Sequence, residues 1–134
     1  MLRLSFALLL LGSLALPALA QSISNKIVLL PGDVVYARFE PEGKKIRLAH
    51  AGKEVDERAQ VIFNLMREAE TLAIKLKVEN KFPQDFIYQV VVRSKRLNRE
   101  TPMDVVAVVG GKRAFEEFSP LVDEVILSGF KLVR

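Results

Sequence analysis

The sequence predicts a mostly-β protein, a single antiparallel β-sandwich of seven or eight strands. Short apolar or alternating segments recur at spacings of roughly 8–15 residues, and turn residues separate them. The chain of 134 residues is long enough for one domain with one core. It contains no cysteine, so no disulfide can hold the sheets together and the apolar core must do so alone.

The first strands follow from alternation and turn chemistry. An apolar run over 27–30 stops at Pro31 and Gly32. The segment 34–40 alternates apolar and polar side chains, and 45–50 alternates again after a turn that contains proline and glycine. Together these segments predict one short strand and a hairpin.

The second half of the chain repeats this pattern. Apolar residues alternate over 72–78 and 86–93, which is typical of strands buried on one face. The wholly apolar segment 105–109 predicts a further strand, and 124–133 predicts the last one. Gly129 lies inside this last strand and predicts a β-bulge.

The segment 55–69 permits two interpretations. Its apolar residues are spaced three or four apart, which favours a helix over 55–69. A strand over 61–66 followed by a hairpin loop agrees better with the strands on either side. Both interpretations stay open, and the resemblance described below favours the strand.

The first twenty residues predict a cleaved signal peptide. Arg3 precedes an apolar run over 4–16, and Ala18 and Ala20 provide the small side chains that signal peptidase requires. The run is shorter than the about 20 residues that cross a bilayer. We therefore expect cleavage after Ala20, a domain over 21–134 without a transmembrane segment, and a periplasmic or secreted protein.

The composition excludes several kinds of catalytic site. Without cysteine there is no thiolate zinc site and no cysteine nucleophile, and His50 is the only imidazole. Ser128 and Lys131 match the S-x-x-K motif by spacing, but a strand points residues three apart to opposite faces. The sequence predicts no catalytic, cofactor-binding or metal-ligating residue, no cofactor, and hence no enzyme.

Paired carboxylates leave a hydrolase as the weaker alternative. Glu116 and Glu117 stand on one side of a Ser-Pro turn, and Asp123 and Glu124 stand on the other. Glycosidase-like chemistry needs two carboxylates at a defined separation. Neighbours in an extended segment point apart, so solvent-exposed loops are the favoured interpretation.

Two features predict a binding surface. Four cations fall within seven residues between apolar strands, at Arg93, Lys95, Arg96 and Arg99. Such a cluster fits an anionic envelope surface or an acidic partner, although a solvated loop is the more common reason for it. In an irregular connection, Phe115 and Phe118 flank acidic residues. Such a segment is more often a loop that its own phenylalanines anchor to the core, but an exposed aromatic pair beside charges is also typical of a contact surface.

The stretch from Leu72 to Val133 resembles the C-terminal half of small exported immunoglobulin-like proteins of Gram-negative bacteria. The residues that carry the resemblance are 77–80, 85–88 and 125–132, about half of the chain after signal cleavage. This resemblance implies an immunoglobulin-like sandwich and no active-site residue.

The preferred function is therefore non-catalytic binding in the periplasm. An envelope protein or an anionic glycan or lipid surface is the expected partner, and nucleic acid is not. Contact is expected through loops or a strand edge, with the C-terminal strand as that edge and Lys131 and Arg134 as its charged guards. An assembly subunit or chaperone of an envelope structure is the alternative, and the sequence leaves the oligomeric state open.

Overall fold

A computed structural model describes residues 25–133 of the chain, and these residues form two antiparallel sheets packed face to face. The predicted signal peptide and Arg134 lie outside the described residues. In chain order the strands are β1 (Ile27–Leu29), β2 (Val34–Glu42), β3 (Lys45–Gly52), β4 (Val61–Arg67), β5 (Ile74–Asn80), β6 (Asp85–Ser94), β7 (Arg99–Met103), β8 (Arg113–Phe118) and β9 (Glu124–Val133).

The sheets have four and five strands. Sheet A has the order β1-β9-β6-β7, and sheet B has the order β3-β2-β4-β5-β8. The predicted sandwich is confirmed. Residues 25–133 contain no helix, so none is long and apolar enough to span a membrane.

The helix over 55–69 is wrong, because β4 occupies its centre. β4 pairs with β2 on one side and with β5 on the other. Within it, Val61, Phe63 and Leu65 point inward and are fully buried. The helical spacing was produced partly by apolar residues outside this strand, since Val55 is exposed.

An aromatic cluster joins the two sheets. Phe39 and Phe63 come from sheet B, and Phe86, Tyr88 and Phe130 come from sheet A. The Phe39 and Phe130 ring centroids lie 5.1 Å apart, and those of Phe63 and Phe86 lie 6.1 Å apart. Tilted and edge-to-face pairs at these distances stabilise a core beyond the burial of their area.

Three strand predictions need correction. The segment 105–109 is a connection between the sheets rather than a strand, and only Val108 is buried, through an isolated bridge to Phe86. The sequence predicts loops at β7 and β8, but both are strands at the sheet edges. Their charged and exposed residues hid the alternation. The sandwich therefore has nine strands in the described part of the chain.

The C-terminal strand is not the edge strand of its sheet, contrary to the prediction, because β9 lies between β1 and β6. β1 pairs only with residues 125–127 of β9, so Lys131 pairs with β6 alone. The predicted bulge at Gly129 is confirmed by its φ of +62° and by a register shift against β6. Because of the bulge, Ser128 and Lys131 both lie on the outer face of sheet A, and the expectation of opposite faces is wrong.

The buried side chain of Asn80 fastens three segments together. Its Nδ2 donates to the carbonyl oxygens of Gln84 at 2.8 Å and Val108 at 2.9 Å. Its Oδ1 accepts the backbone N–H of Phe82 at 2.9 Å. The amide thus ties the end of β5 to the turn before β6 and to the connection before β8.

Replacing Asn80 by Ala removes these three hydrogen bonds and leaves a cavity at a buried side chain, although the Val108 carbonyl still accepts the Phe86 N–H. We expect a loss of roughly 2–4 kcal/mol in the free energy of unfolding, measured by urea denaturation. Asn64→Ala, on the outer face of sheet B, is the matched control and should cost less than about 1 kcal/mol. Equal losses in both variants would contradict the fastening role.

The hydroxyl of Tyr88 is buried without a hydrogen-bond partner in the described part of the chain. Burial, and then the negative charge of Glu116, raise the pKa of this phenol above its ordinary value. The folded protein therefore favours the protonated phenol. Below about pH 10 the phenol is protonated in both the folded and the unfolded protein, so its ionisation does not lower the free energy of unfolding. Above about pH 10 the unfolded tyrosine ionises first, so the free energy of unfolding falls as the pH rises.

Replacing Tyr88 by Phe removes the unsatisfied hydroxyl. We expect the free energy of unfolding at pH 7 to stay equal or to rise by about 1 kcal/mol, and stability above about pH 10 to fall less steeply than in the parent protein. Tyr36→Phe, on the outer face of sheet B, controls for the loss of a phenol. A clear loss of stability in Tyr88→Phe alone would show that the hydroxyl has a partner.

Candidate functional site

A groove opens between the two sheets along the side where β7 and β8 form the edges. Its volume is about 170 Å³. β6 and β7 supply one wall, and the end of β8 with the turn before β9 supplies the other. We call it the edge groove, and its lining consists of Val92, Ser94, Leu97, Arg99, Thr101, Met103, Phe118, Ser119, Leu121 and Val122.

The edge groove is apolar inside. Buried side chains form its floor, and the partly exposed Leu97 and Met103 form its lip, with 52% and 36% of their surface accessible. The hydroxyl oxygens of Ser94 and Ser119 each accept a backbone N–H of their own turn, at 3.3 and 3.2 Å. Few polar atoms therefore remain to bind a polar ligand deep in the groove.

Hydrogen bonds from neighbouring turns fix the walls. The Asp123 carboxylate accepts the backbone N–H of Lys95 at 2.6 Å, and the Asp123 backbone N–H donates to the Arg93 carbonyl at 2.8 Å. The Arg67 guanidinium donates to the Pro120 carbonyl at 3.0 Å. The groove is thus formed before any ligand arrives, which lowers the entropic cost of binding.

Arg93, the first cation of the predicted cluster, is committed to ion pairs. Its guanidinium lies 2.6 Å from Glu100 Oε1 and 2.7 Å from Glu124 Oε2. Hydrogen bonding and the charge of Glu100, followed by Glu124, raise the pKa of Arg93 further above its ordinary value. Two carboxylates offset one cation here, so this position adds no net positive charge to the surface.

The other three cations carry no such partner. Lys95, Arg96 and Arg99 are exposed, and none of them forms an ion pair within residues 25–133. Lys95 and Arg96 belong to the β6–β7 turn, and Arg99 lines the groove itself. One exposed cation therefore lies in the apolar groove, and two more lie in the adjoining turn.

The two phenylalanines of the predicted aromatic pair point in opposite directions. Phe118 is 4% exposed and belongs to the core beneath the groove, so the expectation of an exposed pair is wrong for this residue. Phe115 is 56% exposed and lies on the outer face of sheet B, opposite Lys77 in the pairing of β5 with β8. Alternation along β8, which the sequence analysis did not recognise, separates the two rings.

The carboxylates proposed for the alternative hydrolase hold the backbone and a guanidinium in place. Glu116 Oε2 accepts the Val106 N–H at 2.9 Å, Asp123 binds the β6–β7 turn, and Glu124 binds Arg93. Glu117 points to the other face of β8, opposite Lys75. These contacts separate the four groups.

His50 lies on β3 at the other edge of sheet B. It borders a polar cleft with Arg38, Lys53, Asp56 and neighbouring residues. Arg38 Nε lies 2.9 Å from Asp56 Oδ2, so the carboxylate compensates this cation. Within the described residues no group of three or more His, Asp or Glu side chains is placed to hold a metal ion.

Comparisons with protein-family models, with characterised proteins and with solved structures find no match to this chain. The resemblance to exported immunoglobulin-like proteins therefore stays a prediction.

Sequence reasoning missed the apolar part of the site. Leu97 stands alone between cations in the sequence, and an apolar residue at such a position is a signal for a contact surface. Met103 and Leu121 gave no signal, since their roles depend on β7 and on the turn that faces it.

The hydrogen bond from Lys95 to Asp123 gives a direct test of how the groove is held. In Asp123→Ala we expect the Lys95 amide to exchange with solvent at least about tenfold faster, because opening the turn no longer breaks this bond. Asp104→Ala, an exposed carboxylate with the same change in charge, is the control. Unchanged exchange at Lys95, measured by NMR, would show that the turn is held by other contacts.

Proposed function

We propose that this protein is an exported, non-catalytic binding module that engages an anionic partner at the edge groove. The observation that carries the proposal is a preformed apolar groove that contains Arg99 and adjoins the exposed Lys95 and Arg96, none of which forms an ion pair among the described residues. Charges of one sign around a concave surface raise the local concentration of opposite charges and speed association.

The hydrogen bonds of the candidate catalytic groups support a binding function over a catalytic one. Three of the four carboxylates considered for hydrolysis already accept strong hydrogen bonds from loops or from Arg93. The hydroxyls in the groove accept hydrogen bonds from their own turns, and the only imidazole lies at the opposite edge of sheet B. Among the described residues, no hydroxyl of the groove donates a hydrogen bond to a His, Asp or Glu side chain that could act as its base.

Export supports the choice of partner. Residues 1–20 have the composition of a signal peptide, so the proposed compartment is the periplasm or the exterior. Carboxylate and phosphate groups are common there on proteins and envelope polymers alike. Their shared negative charge is what the three cations recognise.

The triple variant Lys95→Ser, Arg96→Ser, Arg99→Ser tests this assignment. We expect its affinity for fluorescent poly-L-glutamate, measured by anisotropy at low salt, to fall about tenfold or more, since three exposed charge contacts are lost. Added salt should weaken the parent protein's binding in the same direction.

The control removes the same charge elsewhere, at Lys26, Lys44 and Lys81, which are exposed and form no ion pair in the described part of the chain. The control should keep most of the affinity, and both variants should unfold at the parent temperature. Equal losses in the two variants would assign the binding to overall charge and not to the edge groove.

A further inference from the structure

The size of the edge groove restricts what its occupant can be. A cavity of about 150 Å³ with an apolar lining holds one benzene molecule. At about 170 Å³ the edge groove accommodates one aromatic or branched aliphatic side chain. A lipid acyl chain is several times longer and would stay mostly outside.

The chemistry of the lining restricts the occupant further. A sugar ring carries hydroxyls on every side, and each buried hydroxyl needs a hydrogen-bond partner. In the groove, the Ser94 and Ser119 oxygens already accept bonds, and the remaining surface is mainly carbon. An apolar side chain meets no such penalty and gains from burial against Val92, Phe118 and Val122.

The cations lie within a few residues of the apolar lip. Leu97 follows Lys95 and Arg96 in the same turn, and Arg99 reaches into the lining. An occupant that fills the groove therefore places its neighbouring groups against positive charge. In a polypeptide, carboxylates one or two residues from the buried side chain satisfy this arrangement.

We infer that the edge groove binds an acidic segment of a partner protein through one apolar anchor residue, with Asp or Glu one or two residues from the anchor. The inference rests on the proposed function and selects a protein over a glycan or a lipid. The anchor supplies selectivity, and the flanking carboxylates pair with Lys95, Arg96 and Arg99.

Two peptides separate the contribution of the apolar anchor to the affinity from that of the flanking charges. Each has four Glu residues on either side of one central residue, which is Phe in the first peptide and Ala in the second. We expect the Phe peptide to bind the parent protein at least about tenfold more tightly than the Ala peptide, because one apolar side chain is buried.

A lip variant and its control locate the anchor. The double variant Leu97→Ser, Met103→Ser removes the partly exposed lip and leaves the buried floor unchanged. Its affinity for the Phe peptide should fall to its affinity for the Ala peptide. Val55→Ser with Val109→Ser alters two apolar residues that are exposed elsewhere and should leave the tenfold difference intact. The triple cation variant should bind both peptides more weakly than the parent protein does.

The outcomes distinguish this inference from the proposed function. If both peptides bind equally while the cation variant still loses affinity, the anchor is wrong and the proposed function stands. If neither peptide nor poly-L-glutamate binds, the inference and the proposed function are both overturned.

Tighter binding of polygalacturonate or of anionic phosphatidylglycerol vesicles than of the Phe peptide would overturn the inference of a protein partner. A dimer in light scattering that is abolished both by Phe115→Ala and by the lip variant would identify a second copy of the chain as the occupant.

Discussion

The packing of aromatic rings from one sheet against rings from the other is the contact on which the rest of this structure depends. The chain has no cysteine, so no covalent bond sets the distance between the sheets. Phe39 and Phe63 meet Phe86 and Phe130 in the middle of the sandwich, and all four are buried. Such rings bury a large apolar area in fixed geometry, so they can provide both cohesion and spacing without a disulfide.

This spacing has different consequences at the two sides of the sandwich. On one side, β3 packs near β9, and the Leu48 N–H donates to the Asn25 side chain, so the sheets approach closely. On the other side, β7 and β8 leave the edge groove between them. The proposed binding site is therefore a direct result of how the sheets close. Lys95 and Arg96 lie on the turn that connects β6 to the edge strand β7, and Arg99 is the first residue of β7.

The sequence predicts the central part of this fold well, because buried strands must alternate. Phe86, Tyr88, Val90 and Val92 are read directly from β6 and are all buried. Alternation does not predict the edge strands β7 and β8, because they face solvent on more than one side. They also carry charged residues, which discourage pairing with other chains. The segment 105–109 shows the reverse error, because an apolar run can cross between sheets with only one buried residue.

The candidate site was predictable in its charges but not in its shape. The cluster of cations stands out in the sequence, whereas the pairing of Arg93 with Glu100 and Glu124 requires the register of β6 with β7 and with β9. The groove requires the two unrecognised edge strands.

The most direct test of the central claim is a double-mutant cycle on Phe39→Leu and Phe130→Leu, measured as the free energy of unfolding. A packed inter-sheet pair predicts a coupling of about 0.5–1.5 kcal/mol, whereas strictly additive losses would show that the rings do not hold the two sheets together.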